Sequence, residues 1–269
     1  MAHQTRPTEE LYRLLQTVYD RFNVELFESK LPDVVITLQR EKNTMGYFSR
    51  ERWFHSRANQ KVHEIALNPA YFAHFPLIEV LQTMAHEMCH LYQHDHGTPG
   101  RGRYHNAEFA RIMEKIGLMA SDTGRPGGNR TGEKMADYPI EGGRFAEVCL
   151  ALHSDGFFLP WVDRYPVSKR PSSPFLEMGD MGSTSPPAPG ALSAEQRAYQ
   201  HYQASALEVL YVNLVPPALA SEIVSTPSPE AMAKRDSKTR YQCDCGHNVW
   251  GKLGLSIRCN RCNTDFSVR

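Results

Sequence analysis

No other five residues constrain this chain as much as His86-Glu87-Met88-Cys89-His90. On an α-helix, positions i and i+4 share one face about 6 Å apart, so both imidazoles can reach one metal ion. Glu87 then projects beside the pair, where its carboxylate can take a proton from a metal-bound water. Zn²⁺ lowers the pKa of such a water to about 7, which makes hydroxide available at neutral pH. The flanks agree with a buried helix, because Val80, Leu81, Met84, Met88 and Leu91 form an apolar stripe. An exposed helix face carrying two histidines and a solvated acid would also satisfy the bare pattern, so a third ligand decides between the readings.

Three histidines compete for that role. His94 lies on the face of His86 and His90, one turn further on. His96 sits where the helix runs into a turn. His105 follows a Gly/Pro-rich stretch (97–102) and opens the next predicted helix, so a helix–turn–helix return carries it back over the first helix. His105 is the favoured ligand. Cys89, adjacent to His90, points about 100° away from the ligand face and reads as a small core residue. Cys149 stands alone and reads the same way.

The remaining cysteines form a second pattern. Cys243-Asp244-Cys245 and Cys259-Asn260-Arg261-Cys262 are a C-x-C and a C-x-x-C pair separated by 13 residues. Two such knuckles bring four thiolates to one tetrahedral ion, and a closed shell of four sulfurs has no open position for chemistry. A segment this short cannot bury enough apolar surface to fold alone, so the metal supplies the folding energy. His247 could replace one thiolate, though four cysteines make that unnecessary. The tail is basic, with eight Lys and Arg against three Asp over residues 234–269, in a chain whose totals balance at 30 and 30. With Tyr241, Trp250 and Phe266 interleaved, that charge suits phosphate contacts and base stacking. The alternative is a small module whose aromatics fill its core and whose charges keep it soluble.

A length of 269 residues fits one or two domains, and 41% hydrophobic with 22% charged residues describes a globular chain. No apolar run approaches the roughly 20 residues that cross a bilayer. Residues 1–10 are polar, so no secretory signal is expected, and clustered cysteines in a reducing compartment hold metal more often than they form bridges.

Along the chain, Leu11, Leu14, Leu15, Val18, Phe22, Leu26 and Phe27 recur at three- and four-residue steps and predict a helix over 8–28. Strands are predicted at 34–38, 45–49, 64–68 and 138–140, and helices at 77–94 and 106–116. Residues 145–162 are apolar and ambiguous, 170–193 are rich in Pro, Ser and Gly, and 194–214 fit one further helix ended by Pro216-Pro217. There is no internal repeat.

These residues together resemble the SprT-like metalloproteases, a family with a member, Spartan, that degrades proteins crosslinked to DNA. The resemblance covers roughly residues 9–145. It rests on Phe22-Asn23, Leu26-Phe27, Leu31-Pro32, Gly46-Tyr47-Phe48, Glu64-Ile65-Ala66-Leu67-Asn68-Pro69, Thr83-Met84-Ala85-His86-Glu87-Met88-Cys89-His90 and Tyr104-His105-Asn106-Ala107-Glu108-Phe109. In that family the third ligand is a histidine heading the following helix, 15 residues after the second, which is the place of His105 relative to His90. The stretch Gly127-Gly128-Asn129-Arg130-Thr131-Gly132 through Gly142-Gly143 is similar to the bacterial branch. Many members have glycine after the third histidine, where this chain has Asn106. That changes a backbone option and leaves the ligands intact.

The expected architecture is therefore α+β: a zincin-like metalloprotease domain (8–165) of helices on a small mixed sheet, a linker (166–193), a helical and flexible connector (194–237) and a four-cysteine zinc ribbon (238–269). Two Zn²⁺ are expected. One is catalytic, on His86, His90 and His105 with Glu87 as general base. The other is structural, on Cys243, Cys245, Cys259 and Cys262. The resemblance implies protein substrates bound or crosslinked to DNA. It also implies contacts to single-stranded or damaged DNA, for which Lys238, Arg240, Trp250, Lys252, Arg258 and Arg261 are the candidate residues. A cytoplasmic location without membrane contact, at the nucleoid where DNA is bound, is the expectation from the polar N-terminus and the resemblance together. The competing function is a zinc-binding, DNA-associated regulator or scaffold without proteolysis, which has no need of Glu87 between its ligands.

Overall fold

The computed structural model describes residues 6–41, 43–166, 207–211, 213–223 and 239–268. The chain divides into two compact units, Met1–Ile223 and Val224–Arg269.

In the first unit, α1 (Pro7–Phe27) starts one residue earlier than the spacing predicts, because Pro7 sits at the first helical position, where a missing N–H costs nothing. Glu28 ends it in the left-handed conformation. Leu15, Val18, Tyr19, Phe22, Leu26 and Phe27 are buried on one side. Asn23 explains the turn that follows. Its amide donates to the Leu31 carbonyl at 2.9 Å and its oxygen accepts the Leu31 N–H at 3.0 Å. The Tyr19 hydroxyl meanwhile donates to the Pro32 carbonyl. Polar groups at helical positions thus aim the chain into β1 (Val34–Leu38).

The main sheet has the order β1-β3-β2. Central β3 (Gln60–Leu67) runs parallel to β1, with Ile36 opposite Ile65, and antiparallel to β2 (Gly46–His55), with Phe48 opposite Ile65. The sheet is therefore mixed. Strand β2 is twice as long as the 45–49 segment that the pattern picks out. Its second half is exposed on both faces, so no alternation marks it. The register shifts between Ser49 and Trp53, and Glu51 at the shift has φ 44.

A tight turn at Pro69–Tyr71, capped by Asn68, leads into α2 (Leu77–His96). This helix is buried nearly all round, with Leu77, Ile78, Leu81, Met84, Ala85, Met88 and Leu91 in the core. Gly46 lets β2 lie against it. A Cβ there would stand 2.7 Å from the Thr83 methyl and 2.8 Å from the Ala66 carbonyl oxygen. Helix α3 (Ala107–Ile116) ends at Gly117 in the left-handed region, and β4 (Leu118–Ser121) pairs antiparallel with β5 (Ala136–Pro139). The ambiguous apolar stretch resolves as α4 (Arg144–Ser154), where Phe145 meets Phe22 with ring centroids 5.7 Å apart. Cys89 and Cys149 are both fully buried in this core.

The helix expected over 194–214 is not formed in its described part. Glu208–Leu210 makes a single 3-10 turn, with Leu207 and Leu210 buried, and Asn213 bridges to Pro76. Leu207 and Leu210, three residues apart, meet the core through that turn. Residues 194–206, and all but residue 166 of the expected linker, lie outside the described residues. Among the described residues, no helix is long and apolar enough to cross a membrane.

The second unit is a three-stranded antiparallel sheet in the order β7-β6-β8, from β6 (Thr239–Gln242), β7 (Asn248–Gly251) and β8 (Ser267–Val268). Among its described residues only Tyr241, Cys243 and Cys259 are buried.

Candidate metal centres

Helix α2 presents His86 and His90 one turn apart, and the turn at 97–104 returns the chain so that His105 precedes α3. The three side chains converge. His105 Nε2 lies 3.3 Å from His86 Nε2 and 3.1 Å from His90 Nε2. Ligand atoms held about 2.0–2.1 Å from a tetrahedral zinc stand roughly 3.3 Å from one another, so the cluster has the spacing of a filled ligand set. Three imidazoles with their ring nitrogens pointed at a common centre suit Zn²⁺ or a neighbouring transition ion far better than Mg²⁺ or Ca²⁺.

On His86 and His105 the second ring nitrogen is occupied. His86 Nδ1 donates to Asp137 Oδ2 at 2.9 Å, and His105 Nδ1 faces the Gly132 carbonyl at 3.2 Å. Each contact fixes the tautomer that leaves Nε2 free as a donor to metal. His105 and Gly132 also exchange both backbone hydrogen bonds. The Phe109 ring stacks on His90 with centroids 4.3 Å apart and packs against His86 and His105. Neither Asp137 nor Gly132 was recognisable as part of a site from sequence. The one signal was an acidic residue directly before the strand-like 138–140.

Burial sets the electrostatics. It pushes the His90 imidazole down to about 2 and His105 down to about 4, and the neighbouring histidine charge adds to this, so both rings are neutral at pH 7. His86 is also buried, but its hydrogen bond to Asp137 and the charges of Glu87 and Asp137 outweigh burial and hold it above the ordinary value. Glu87 is pushed by burial up to about 7, against the opposing effects of His86 and the Phe48 backbone. A carboxyl poised there can both accept and release a proton near neutrality.

Asn106, the departure noted above, has a visible use. Its side chain caps α3 by accepting the Phe109 N–H at 2.9 Å, and the same oxygen accepts from Gln93 Nε2 at 2.8 Å. Gln93 also donates to Glu108 at 2.8 Å, and Glu108 accepts the Thr98 N–H at 2.7 Å. This network ties both ends of the turn to α2 and so fixes where His105 stands. His96 is drawn away to the Lys30 carbonyl at 3.1 Å, and His94 turns towards Asp95 and His63. Neither belongs to the cluster of His86, His90 and His105.

A sequence model of the SprT-like family matches residues 15–128. The chain is also 49% identical over 59 residues to an uncharacterized protein in the mucB 3′ region of Salmonella typhimurium, a match covering 22% of this chain and 80% of that protein. The chain belongs to the SprT-like family. No solved structure matches it. Membership in the SprT-like family suggests a metalloprotease-like function. The family match contains all three histidines and Glu87 but stops before Gly132 and Asp137, so the groups that orient the imidazoles lie beyond it.

The four cysteines of the second unit also come together. Cys243 and Cys245 sulfurs are 3.3 Å apart, and Cys245 and Cys259 sulfurs 3.7 Å. Each pair sits on a tight turn. Gly246 N–H reaches the Cys243 carbonyl at 2.9 Å, and Asn263 N–H reaches that of Cys259 at 2.8 Å. The Thr264 hydroxyl, 3.1 Å from Cys262, draws that thiol down to about 5. His247 Nδ1 lies 3.2 Å from Cys245. The cluster is compatible with a zinc ribbon.

Of the expected DNA contacts, Arg240, Trp250, Lys252, Arg258 and Arg261 are exposed, and Lys238 lies outside the described residues. Trp250 is 62% exposed and stands opposite Arg240 in the β6–β7 pairing. Tyr241 is instead buried in this unit, its hydroxyl donating to the Lys252 carbonyl at 2.6 Å.

Asp137→Asn should weaken zinc binding at the histidine cluster by about 10–100-fold, because an amide holds the His86 tautomer less firmly. Zinc competition against a chromogenic chelator measures this directly. Unchanged affinity would remove Asp137 from the account of the site.

Proposed function

We propose that this chain is a zinc-dependent endopeptidase that acts on proteins bound or crosslinked to DNA, with its cysteine unit holding the nucleic acid. The observation that carries the hydrolytic part is Glu87, a buried carboxyl on the same helical turn as His86, beside three converging imidazoles. Zn²⁺ held by His86, His90 and His105 would supply Lewis acidity towards the scissile carbonyl and acidify a water. Glu87 takes the proton of that water and passes it to the leaving amine. Asp137 and Gly132 keep His86 and His105 oriented throughout. Phe109 covers the cluster on the side away from solvent and keeps the imidazoles in the dry surroundings that burial requires.

The DNA part rests on the family resemblance and on the exposed Arg240, Trp250, Lys252, Arg258 and Arg261 of the cysteine unit. Trp250 can stack on a base while Arg240 meets a phosphate. The test has two arms. Zinc-loaded protein is incubated with a DNA-binding protein, alone and with single- or double-stranded DNA; cleavage stimulated by DNA is expected. Trp250→Ala should lower single-strand affinity on the order of tenfold, given about 1–3 kcal/mol per stacked base, and leave cleavage of an unstructured peptide unchanged. DNA binding without any cleavage would favour the regulator or scaffold instead. Cleavage indifferent to DNA, with unaltered affinity in the variant, would remove nucleic acid from the proposal.

A further inference from the structure

A third group of potential ligands lies outside both centres. His63 on β3 and His94 and Asp95 on the last turns of α2 bring two ring nitrogens and a carboxylate oxygen within 4.8 Å of one another. Both histidines address the same atom. Asp95 Oδ1 is 3.6 Å from His63 Nε2 and 3.9 Å from His94 Nε2. These separations are too long for hydrogen bonds, which close to about 2.7–3.2 Å. They are near the roughly 3.3 Å between ligands that share a zinc ion.

The rings are also braced. His63 and His94 meet edge to face with centroids 5.3 Å apart, and Phe48 packs against both, at 5.5 and 5.9 Å. Asp95 remains solvent-accessible, which leaves an entry path and room for water as a fourth ligand.

We propose that His63, His94 and Asp95 form a further binding site for a divalent transition ion of the zinc class. Two imidazoles with one carboxylate select zinc and its neighbours over magnesium and calcium. Burial lowers the His63 imidazole below its ordinary value, which keeps it neutral and available to metal at pH 7. The charges that face it come from Asp95 and His94 on α2 and from Arg50 and Glu51 on β2.

One contact opposes loading. His63 Nδ1 accepts the Glu51 N–H at 3.0 Å, and a metal on Nε2 moves the ring proton to Nδ1. That exposed hydrogen bond must open, at a cost of roughly tenfold in affinity at most. The loss falls at the irregular register of β2, between Ser49 and Trp53. The site is therefore weaker than a closed four-ligand centre, and it fills at micromolar rather than trace free zinc. Filling it cross-links β3 to the end of α2, the helix that carries His86 and His90.

The experiment is equilibrium dialysis of the full-length protein against buffered free zinc, from nanomolar to tens of micromolar, with zinc counted per chain. Wild type is compared with Asp95→Asn and His63→Gln. Wild type should bind one zinc more than either variant in the micromolar range, with the tighter equivalents unchanged in all three. The same extra equivalent should raise the thermal unfolding midpoint of wild type over that zinc range and leave both variants unmoved. Calcium or magnesium in millimolar excess should not displace it. Identical zinc counts in wild type and both variants would overturn the proposal, whatever the number of tighter equivalents. A misfolded variant would show itself by losing those tighter equivalents, and the other substitution then carries the comparison.

Discussion

Glu87→Gln is expected to abolish proteolysis while retaining zinc. The carboxylate is not among the converging ligands, and glutamine preserves its volume in a buried position. What is lost is the proton acceptor, which typically contributes about 10²–10⁴-fold, and the same group also serves the leaving amine. Cleavage of a denatured protein substrate, followed beside metal content, separates the two outcomes. Zinc content should stay at the wild-type level. A variant that cleaves at the wild-type rate would disprove the hydrolytic mechanism. The contrast with His90→Ala is informative, since that change should remove about one zinc together with the activity.

The second large effect lies in the other unit. Three side chains are the entire buried set among its described residues, and two of them are cysteines. A core of that size cannot offset the entropy of ordering some 30 residues, at about 1–2 kcal/mol each for the backbone. Zinc bound to a four-cysteine shell contributes about 10–16 kcal/mol near neutral pH, which makes metal binding and folding one event. Cys259→Ser should therefore unfold the ribbon and lose about one zinc, leaving the histidine cluster loaded. Collapse of the amide dispersion of residues 239–268 in an NMR spectrum, with the rest of the spectrum retained, is the expected result. A ribbon that keeps its dispersion after chelation would mean that the unit folds without metal.

The elements legible in the sequence were those with a strong local signal. The three-and-four spacing of Leu15, Val18, Phe22 and Leu26 gives α1 directly, and the stripe around His86 gives α2. The strands at 34–38 and 64–68 stand out because β-branched and apolar residues run between breakers. Strand β4 escaped notice because four residues after Gly117 carry too little pattern. Helix α4 was ambiguous because a short, largely apolar segment fits a strand or a helix equally well, and the meeting of Phe145 with Phe22, far away in sequence, settles the matter. The converging histidines are legible because the helix and the following turn place them by local geometry. Asp137 is not, since it reaches His86 from 51 residues away. His63 is illegible for the same reason: it meets His94 and Asp95 of α2 only through the packing of β3 on that helix, which no spacing within one element reveals.

That difference in reach gives the histidine centre an order of assembly. His86, His90 and His105 fall within 20 consecutive residues, on two helices joined by a short turn. A growing chain that has reached residue 105 holds all three nitrogens and neither of the acceptors that orient them. Gly132 and Asp137 emerge up to 32 residues later, roughly 2–6 s at about 5–20 residues per second. During that interval His86 and His105 lack the acceptors that orient them in the folded chain. Asp137 reaches His86 from β5, which pairs with β4, so the orientation of that imidazole depends on a hairpin outside the helix that carries it.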